Sequence, residues 1–125
     1  MLDPNIRPAF ITDGTRYRAR LARMLDCADI VKVSDEDLAW LCGSGELDET
    51  ARTFQMDHAC LLIVTKGSAG ACAYLPSGAV EQVPAHTANV VDTVGAGDTF
   101  NAGVLTALCE QGRLSKAAKP RLTGR

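Results

Sequence analysis

Two short apolar runs, Ile30-Val-Lys-Val33 and Cys60-Leu-Leu-Ile-Val64, constrain the fold of this chain more than any other feature. Each run has the length of a buried β-strand and is too short for a buried helix. Amphipathic helical patterns precede and separate them, at Thr15 to Ala28 and at Glu46 to Met56. Because strands that alternate with helices usually pair in parallel, the pattern predicts an α/β fold with a mostly parallel sheet flanked by helices.

Turn-forming residues divide the rest of the chain into shorter elements. Ser34, followed by three acidic residues, predicts a capped helix start directly after the first strand. The second strand runs into a glycine-containing turn, Thr65 to Gly70. The next two segments, Ala71 to Leu75 and Val80 to Pro84, predict a β-hairpin. The opening residues, Leu2 to Pro8, are interpreted as the end of a strand that passes into a loop, since two prolines forbid a helix interior.

Charge and hydropathy limit the partners that this chain can have. A net charge of −2 provides no general attraction to nucleic acid or to an anionic membrane, so neither partner is expected. No apolar run is long enough for a transmembrane helix, and no signal-peptide pattern opens the chain. Five widely spaced cysteines predict reduced thiols and a cytoplasmic location rather than a disulfide framework or a zinc site: Cys27, Cys42, Cys60, Cys72 and Cys109.

The segment Asp92-Thr-Val-Gly-Ala-Gly-Asp98 precedes a predicted helix from about Gly97 to Glu110. Small residues at a helix start allow backbone N–H groups without intrahelical partners to approach an anion closely. Asp98 would put a carboxylate beside that anion, which is unfavourable unless the carboxylate takes part in chemistry. Accepting a proton from a hydroxyl that attacks a phosphoryl group is one such role, and completion of the helix N-terminus is the structural alternative. The helix is expected to turn these side chains inward: Phe100, Val104, Leu105 and Leu108.

The run Val91 to Leu105 closely resembles the second signature of the ribokinase-like (PfkB) carbohydrate kinases. Thr65-Lys-Gly-Ser-Ala-Gly70 is similar to the ATP-phosphate loop of that family, and Ser34-x-x-Asp37 stands in the place of its Asn-x-x-Glu motif. Asp3-Pro-Asn-Ile-Arg-Pro8 resembles a segment of fructokinase and 2-keto-3-deoxygluconate kinase members. The resemblance implies a partial ribokinase-like fold and transfer of phosphate from ATP to a sugar or a 2-keto sugar acid.

The resemblance also implies roles for single residues of the glycine turn and of the phosphate loop. Asp98 would be the general base for the sugar hydroxyl. Gly95, Ala96 and Gly97, with the N–H of Asp98, would form the anion hole for the transferred phosphoryl group. The residues that would lie along ATP are Thr65, Lys66, Gly67, Ser68 and Gly70. For Lys66, an ordinary solvated lysine on a turn is the alternative interpretation.

Metal and substrate contacts follow from the same resemblance. Asp92 and the carbonyl of Val94 match positions that hold a monovalent cation such as K⁺ in the family, with turn capping as the alternative for Asp92. Asp37 matches a position associated with Mg²⁺ and phosphate. Ser34 and Asp37 are smaller than the Asn and Glu of the family motif, and an aspartate reaches one methylene less far toward a metal. Asp98 would lie near the sugar, and Arg7 would lie near a substrate or a phosphate.

Length sets this chain apart from the family, whose members are more than twice as long. We therefore expect a partial kinase domain over residues 1–112, without the lid and the N-terminal half, and a disordered basic tail over residues 113–125. A sheet without its other half exposes a strand edge and apolar surface, so a homo-oligomer is expected. Three functions remain open: an ATP-dependent sugar kinase, a non-catalytic remnant, and a nucleotide- or phosphate-binding module that needs a second chain.

Overall fold

In the computed structural model, which describes residues 1–115, the two apolar runs form neighbouring strands of one four-stranded sheet. The strands β1 (Ile30–Ser34) and β2 (Leu61–Thr65) pair in parallel. Parallel strands need a crossover connection, which two helices supply here: α2 (Asp35–Cys42) and α3 (Leu47–His58). Both strands are buried along most of their length, as expected for a parallel pair.

A hairpin completes the sheet in the order β1-β2-β3-β4. Its strands, β3 (Ala71–Tyr74) and β4 (Val80–Val83), pair antiparallel to each other, and β3 also pairs antiparallel to β2. The predicted α/β class and the predicted hairpin are confirmed. The sheet is mixed rather than mostly parallel, because the hairpin contributes two of its three ladders.

Side-chain caps define the start of each of the first three helices. Asp13 accepts the N–H of Arg16 at 2.9 Å before α1 (Gly14–Cys27). Ser34 caps α2 as predicted, and Glu46 caps α3 by accepting two backbone N–H groups of its first turn. These bonds satisfy donors that would otherwise lack a partner at a helix start.

The hydrophobic core draws on α1, α2, α3 and the first three strands. Val31 and Val33 of β1 and Leu62 and Val64 of β2 are completely buried, as is Leu38 of α2. On the outer edge of β1, Leu2 forms an isolated parallel bridge with Val31, which agrees with a strand end at the start of the chain.

The chain divides into two compact units, Met1–Ala85 and His86–Arg125. All elements named so far belong to the first unit. In the second, α4 (Ala96–Glu110) is the helix predicted after the glycine turn. The expectation that four of its side chains face inward is wrong for Leu105, which is 36% exposed, and α4 has no buried residue. The described part of the second unit offers this helix no further helix or strand to pack on.

No helix among residues 1–115 is long and apolar enough to cross a membrane. The predicted basic tail, residues 113–125, falls mostly outside the described residues. Its first three residues, 113–115, are exposed.

Candidate active site

Hydrogen bonds to the backbone shape the glycine turn that precedes α4. Asp92 Oδ1 accepts the N–H of Val94 at 2.9 Å, and the Thr93 carbonyl accepts the N–H of Ala96 at 3.1 Å. Gly95 follows in the left-handed region with φ of +79°, a conformation that costs little only for glycine. The turn therefore relies on Asp92 for closure and on Gly95 for its backbone path.

The N-terminus of α4 has no side-chain cap, in contrast to α1, α2 and α3. Within the described residues, the N–H groups of Gly97 and Asp98 donate to no carbonyl or side chain, whereas the Ala96 N–H is already bonded to Thr93. Unbonded N–H groups and the positive end of the helix dipole both favour an anion here. Asp98 is exposed in the same first turn, so a carboxylate and open donors share one helix end.

The loop after β2 folds back on itself through its own backbone. Lys66 N–H donates to the Gly70 carbonyl at 2.8 Å, and Gly70 N–H donates to the Gly67 carbonyl at 3.1 Å. Between them lies a short 3₁₀ turn, Gly67–Ala69, with Ser68 exposed at its centre. Gly67 and Gly70 both have left-handed backbone angles, with φ of +54° and +87°. The loop is thus a glycine-dependent turn with exposed backbone at the end of a buried strand.

Gly70 is also the point at which the end of β4 crosses this loop. A Cβ atom at position 70 would overlap the Val83 carbonyl oxygen and lie 3.0 Å from the backbone of both Pro84 and Ala85. Only glycine fits between these segments, so the hairpin fixes the path of the loop.

The loop from Thr65 to Gly70 and α2 begin at the same edge of the sheet, because Ser34 and Thr65 are the last register partners of the parallel ladder. Ser34 Oγ accepts the N–H of Asp37 at 3.0 Å, and the Thr65 hydroxyl donates to the Val33 carbonyl at 3.4 Å. Open α/β sheets bind ligands at the carboxyl ends of their strands. This edge therefore brings Ser34, Asp37 and the Thr65–Gly70 loop to the end of the sheet that usually carries the site.

Asp37 is half-buried, and its carboxylate already has partners. Burial is the main cause that raises the pKa of Asp37, and the charge of Asp3 adds to it, while hydrogen bonds from Ser34 and from the Ile6 backbone oppose the rise. Nowhere in residues 1–115 do three His, Cys, Asp or Glu side chains come together as a metal cluster. The predicted role of Asp37 toward Mg²⁺ stays a prediction.

The two predicted cationic contacts have different surroundings. Arg7 is exposed, and its carbonyl accepts the N–H of Phe10 at 2.9 Å. Lys66 is half-buried near the first turn of α3. There, the pKa of Asp48 is lowered chiefly by a hydrogen bond from Arg52, and the charge of Lys66 adds a smaller effect.

Lys32 is not among the site residues that the sequence predicts. This lysine is in the middle of β1, and its Nζ lies 3.1 Å from Asp3 Oδ2, with side-chain exposures of 8% and 17%. The sequence does indicate that Lys32 needs a partner, because a lysine inside an apolar strand must have its charge paired. It does not indicate which residue that partner is, since Asp3 is 29 positions away.

The predicted site residues divide between the two units. Arg7, Asp37 and the loop from Thr65 to Gly70 belong to the first unit, and the turn from Asp92 to Asp98 belongs to the second. In the first unit, Asp37 and the loop from Thr65 to Gly70 begin at one sheet edge, and in the second, the residues from Asp92 to Asp98 form one turn. Arg7 and Asp98, both predicted as substrate residues, belong to different units.

Comparison with known proteins covers nearly the whole chain. Residues 1–119 match the pfkB family of carbohydrate kinases. The chain is 48% identical over 115 residues to a fructokinase of Rhizobium leguminosarum bv. trifolii, an alignment that covers 92% of this chain and 35% of that protein. This chain spans between about a third and just over half of the length of the curated relatives it matches, for example 35% of one fructokinase and 56% of another.

Solved structures agree with the sequence relatives. Aminoimidazole riboside kinase from Salmonella enterica, in complex with aminoimidazole riboside and an ATP analog, superposes with a TM-score of 0.79 at 29% identity, covering 97% of this chain and 40% of that one. Fructokinase from Vibrio cholerae O395 with fructose, ADP and calcium ion gives a TM-score of 0.77 at 28% identity, covering 97% and 39%. A double mutant of the latter was solved with fructose, ADP and potassium ion. The fold and the family match together show that this chain belongs to the PfkB family of carbohydrate kinases and has part of the ribokinase-like fold.

Proposed function

We propose that this chain carries the catalytic turn and a nucleotide-binding loop of an ATP-dependent sugar kinase of the fructokinase type. The observation that carries the proposal is the start of α4, where open N–H groups of Gly97 and Asp98 stand beside the Asp98 carboxylate. The relatives named fructokinase support the same reaction class. The substrate would be a sugar or a 2-keto sugar acid, and Arg7 would contact it.

The proposed transfer step uses Asp98 as general base. Asp98 accepts the proton of the sugar hydroxyl while the hydroxyl oxygen attacks the terminal phosphorus of ATP, and the bond from that phosphorus to the bridging oxygen of ADP breaks. The N–H groups of Gly97 and Asp98 stabilise the charge on the transferred phosphoryl group. Gly95 allows the left-handed backbone that leads into α4. The Ala96 N–H is bonded to Thr93 and cannot donate to the phosphoryl group, so Ala96 contributes only a small side chain.

The loop from Thr65 to Gly70 is proposed to bind the ATP phosphates. Its support is the exposed backbone at Gly67 and Ser68 and the fixed path at Gly70. Lys66 adds positive charge to this loop, which Asp48 of α3 partly balances.

The residues present fit a monovalent cation better than a magnesium ion held by Asp37. The Val94 carbonyl accepts no hydrogen bond among the described residues, and Asp92 uses Oδ1 for the Val94 N–H, so both positions offer oxygen to K⁺. Asp37 fits a direct magnesium contact poorly, because its carboxylate accepts hydrogen bonds from Ser34 and from the Ile6 backbone. Asp37 therefore has no part in the proposed transfer step.

We further propose a homo-oligomer in the cytoplasm. The outer side of β1 is paired only at Leu2 among the described residues, and an open strand edge invites a second copy. Five free cysteines suit a reducing compartment. A monodisperse monomer in sedimentation would contradict the oligomer.

Phosphate transfer from ATP to fructose, ribose and 2-keto-3-deoxygluconate tests the function. We expect Asp98→Asn to lower kcat by about 10² to 10⁴, the range typical of a lost general base, with ATP affinity unchanged. Asp35→Asn is the matched control, because Asp35 is also an exposed acid in the first turn of a helix. Equal turnover of the Asp98→Asn variant and the parent would refute the assigned base.

The same experiment separates the second candidate function, a nucleotide- or phosphate-binding module that needs a second chain or is no longer catalytic. Its support is that the match covers 35% of the length of a whole fructokinase, while catalysis needs both substrates aligned. ATP binding in calorimetry without transfer to any of the three sugars would select this alternative.

A further inference from the structure

A buried ion pair joins β1 to the opening residues of the chain and has no part in the phosphate chemistry proposed above. Only 8% of the Lys32 side chain is exposed, and its Nζ lies 3.1 Å from Asp3 Oδ2. Removing an ammonium group from water is costly unless it is paired and hydrogen-bonded. The role of this ion pair therefore depends on the other contacts that the Asp3 carboxylate makes.

Asp3 uses its two carboxylate oxygens for two different partners. While Oδ2 faces Lys32, Oδ1 accepts the N–H of Asn5 at 3.1 Å. Asn5 has a left-handed backbone with φ of +42°, a conformation that asparagine adopts more readily than most residues. The Asp3 carboxylate thus connects a buried cation to a bend in the backbone. We call residues Asp3 to Arg7 the Asp3–Arg7 turn.

Further contacts fix both sides of this turn. Before it, Leu2 N–H donates to the Ile30 carbonyl at 2.8 Å, and the Leu2 carbonyl accepts the Lys32 N–H at 2.9 Å. Within it, the Ile6 side chain is 4% exposed, and the Ile6 backbone lies close enough to the Asp37 carboxyl to favour its ionised form. The backbone is therefore held from β1 on one side and from the first turn of α2 on the other.

We propose that Lys32 is a positioning residue for Arg7, acting through Asp3, and that Asp37 supports the same turn through Ile6. The inference rests on the proposed function, because it takes Arg7 as the contact for the sugar substrate. Arg7 follows the fixed turn directly, is exposed, and forms no ion pair among the described residues, so its guanidinium can face a carboxylate or hydroxyls. A backbone ordered in advance spares the ligand the cost of ordering it.

Calorimetry and amide hydrogen exchange on the intact chain test the proposal, with 2-keto-3-deoxygluconate and ATP as separate probes. Lys32→Met removes the charge and keeps a long side chain. We expect it to weaken sugar-acid binding about tenfold, to leave ATP binding within about twofold, and to speed exchange of the Asn5 and Ile6 amides. Lys32→Arg keeps a cation and should restore both the affinity and the slow exchange.

Two variants keep the test decisive if Lys32→Met does not fold. Asp3→Asn removes the charge but leaves an oxygen for the Asn5 N–H, and the double variant Lys32→Met/Asp3→Asn leaves no charge buried alone. Both should weaken sugar-acid binding in the same way. Asp26→Asn is the control, because it removes an exposed carboxylate that lies 3.2 Å from His58 Nδ1 in the same unit, away from the proposed site.

Each outcome supports or overturns the proposal. Unchanged sugar-acid affinity in Lys32→Met, unchanged exchange at Asn5 and Ile6, or a parallel loss of ATP affinity would overturn it, and so would a parent that binds ATP but no sugar acid. Failure of the proposed function would give a different set of results. The parent would then bind the sugar acid and transfer no phosphate, while Lys32→Met would still weaken sugar-acid binding.

Discussion

Gly70 and Val83 pack so closely that no side chain can stand at position 70 without displacing the Val83 carbonyl. We expect Gly70→Ala to destabilise the chain by about 2–4 kcal/mol, since it combines a left-handed alanine with a backbone overlap. It should also weaken ATP binding. Gly78→Ala is the matched control: Gly78 has the same φ of +87° but open space around its Cα. It should cost only about 1–2 kcal/mol in urea denaturation. Equal losses would show that the overlap relaxes.

Substitution by alanine should destabilise the chain at Gly95 and stabilise it at Gly103, although no heavy atom would contact an added Cβ at either position. Gly95→Ala puts a side chain at φ of +79° and should cost about 1–2 kcal/mol and lower phosphate affinity. Gly103 is in the interior of α4, where alanine is the better helix former, so Gly103→Ala should stabilise by about 0.5–1 kcal/mol. Thermal unfolding measures both. A stabilised Gly95→Ala variant would refute the assigned turn.

Ser34→Ala should destabilise the chain by about 0.5–2 kcal/mol, because the Asp37 N–H loses its acceptor at the start of α2. Ser77→Ala serves as control, since Ser77 is an exposed turn residue whose contact with the Ala79 N–H is long, at 3.4 Å. Denaturation midpoints compare the two variants. A cost at Ser77 as large as that at Ser34 would argue against a specific capping effect.

The raised pKa of Asp37 predicts a pH dependence of stability with a definite sign. A carboxyl whose pKa is higher in the folded than in the unfolded chain contributes stability at low pH. That contribution is lost as the pH rises from about 3.9, the ordinary aspartate value, through the folded value. Asp37→Asn removes this loss. The stability of Asp37→Asn relative to the parent should therefore increase across that window.

Denaturation at several pH values between about 3 and 7 measures the effect. Asp35→Asn removes an exposed carboxylate from the same first turn and controls for the general effect of a lost charge. If the difference between Asp37→Asn and the parent stays constant with pH, or changes in the opposite direction, the raised pKa is wrong.

The sequence was sufficient for features that depend on near neighbours. Ser34 as a cap, the strands β1 and β2, and the hairpin follow from local patterns, and all three are present. The path of Gly70 under Val83 could not be predicted, because it depends on how the hairpin folds back over the loop.

Features that join distant parts of the chain were missed or misjudged. The partner of Lys32 lies in the opening segment, and no pattern around β1 identifies it. The Ala96 N–H was expected to face an anion, yet it closes the turn by bonding to Thr93, a detail that only the backbone geometry shows. Leu105 fits the helical period but is exposed. Periodicity predicts which side of a helix is apolar, but it does not show whether another element packs against that side.

The absence of buried residues in α4 has a consequence for any measured affinity. A helix of 15 residues whose side chains are at most half-buried gains little stability from packing, whereas β1 and β2 are buried in the core. A phosphate group that binds at the first turn of α4 would therefore also stabilise the helical state of this segment. The apparent dissociation constant for phosphate would then include the helix–coil equilibrium of α4. Raising the temperature would weaken binding partly because it unfolds this helix.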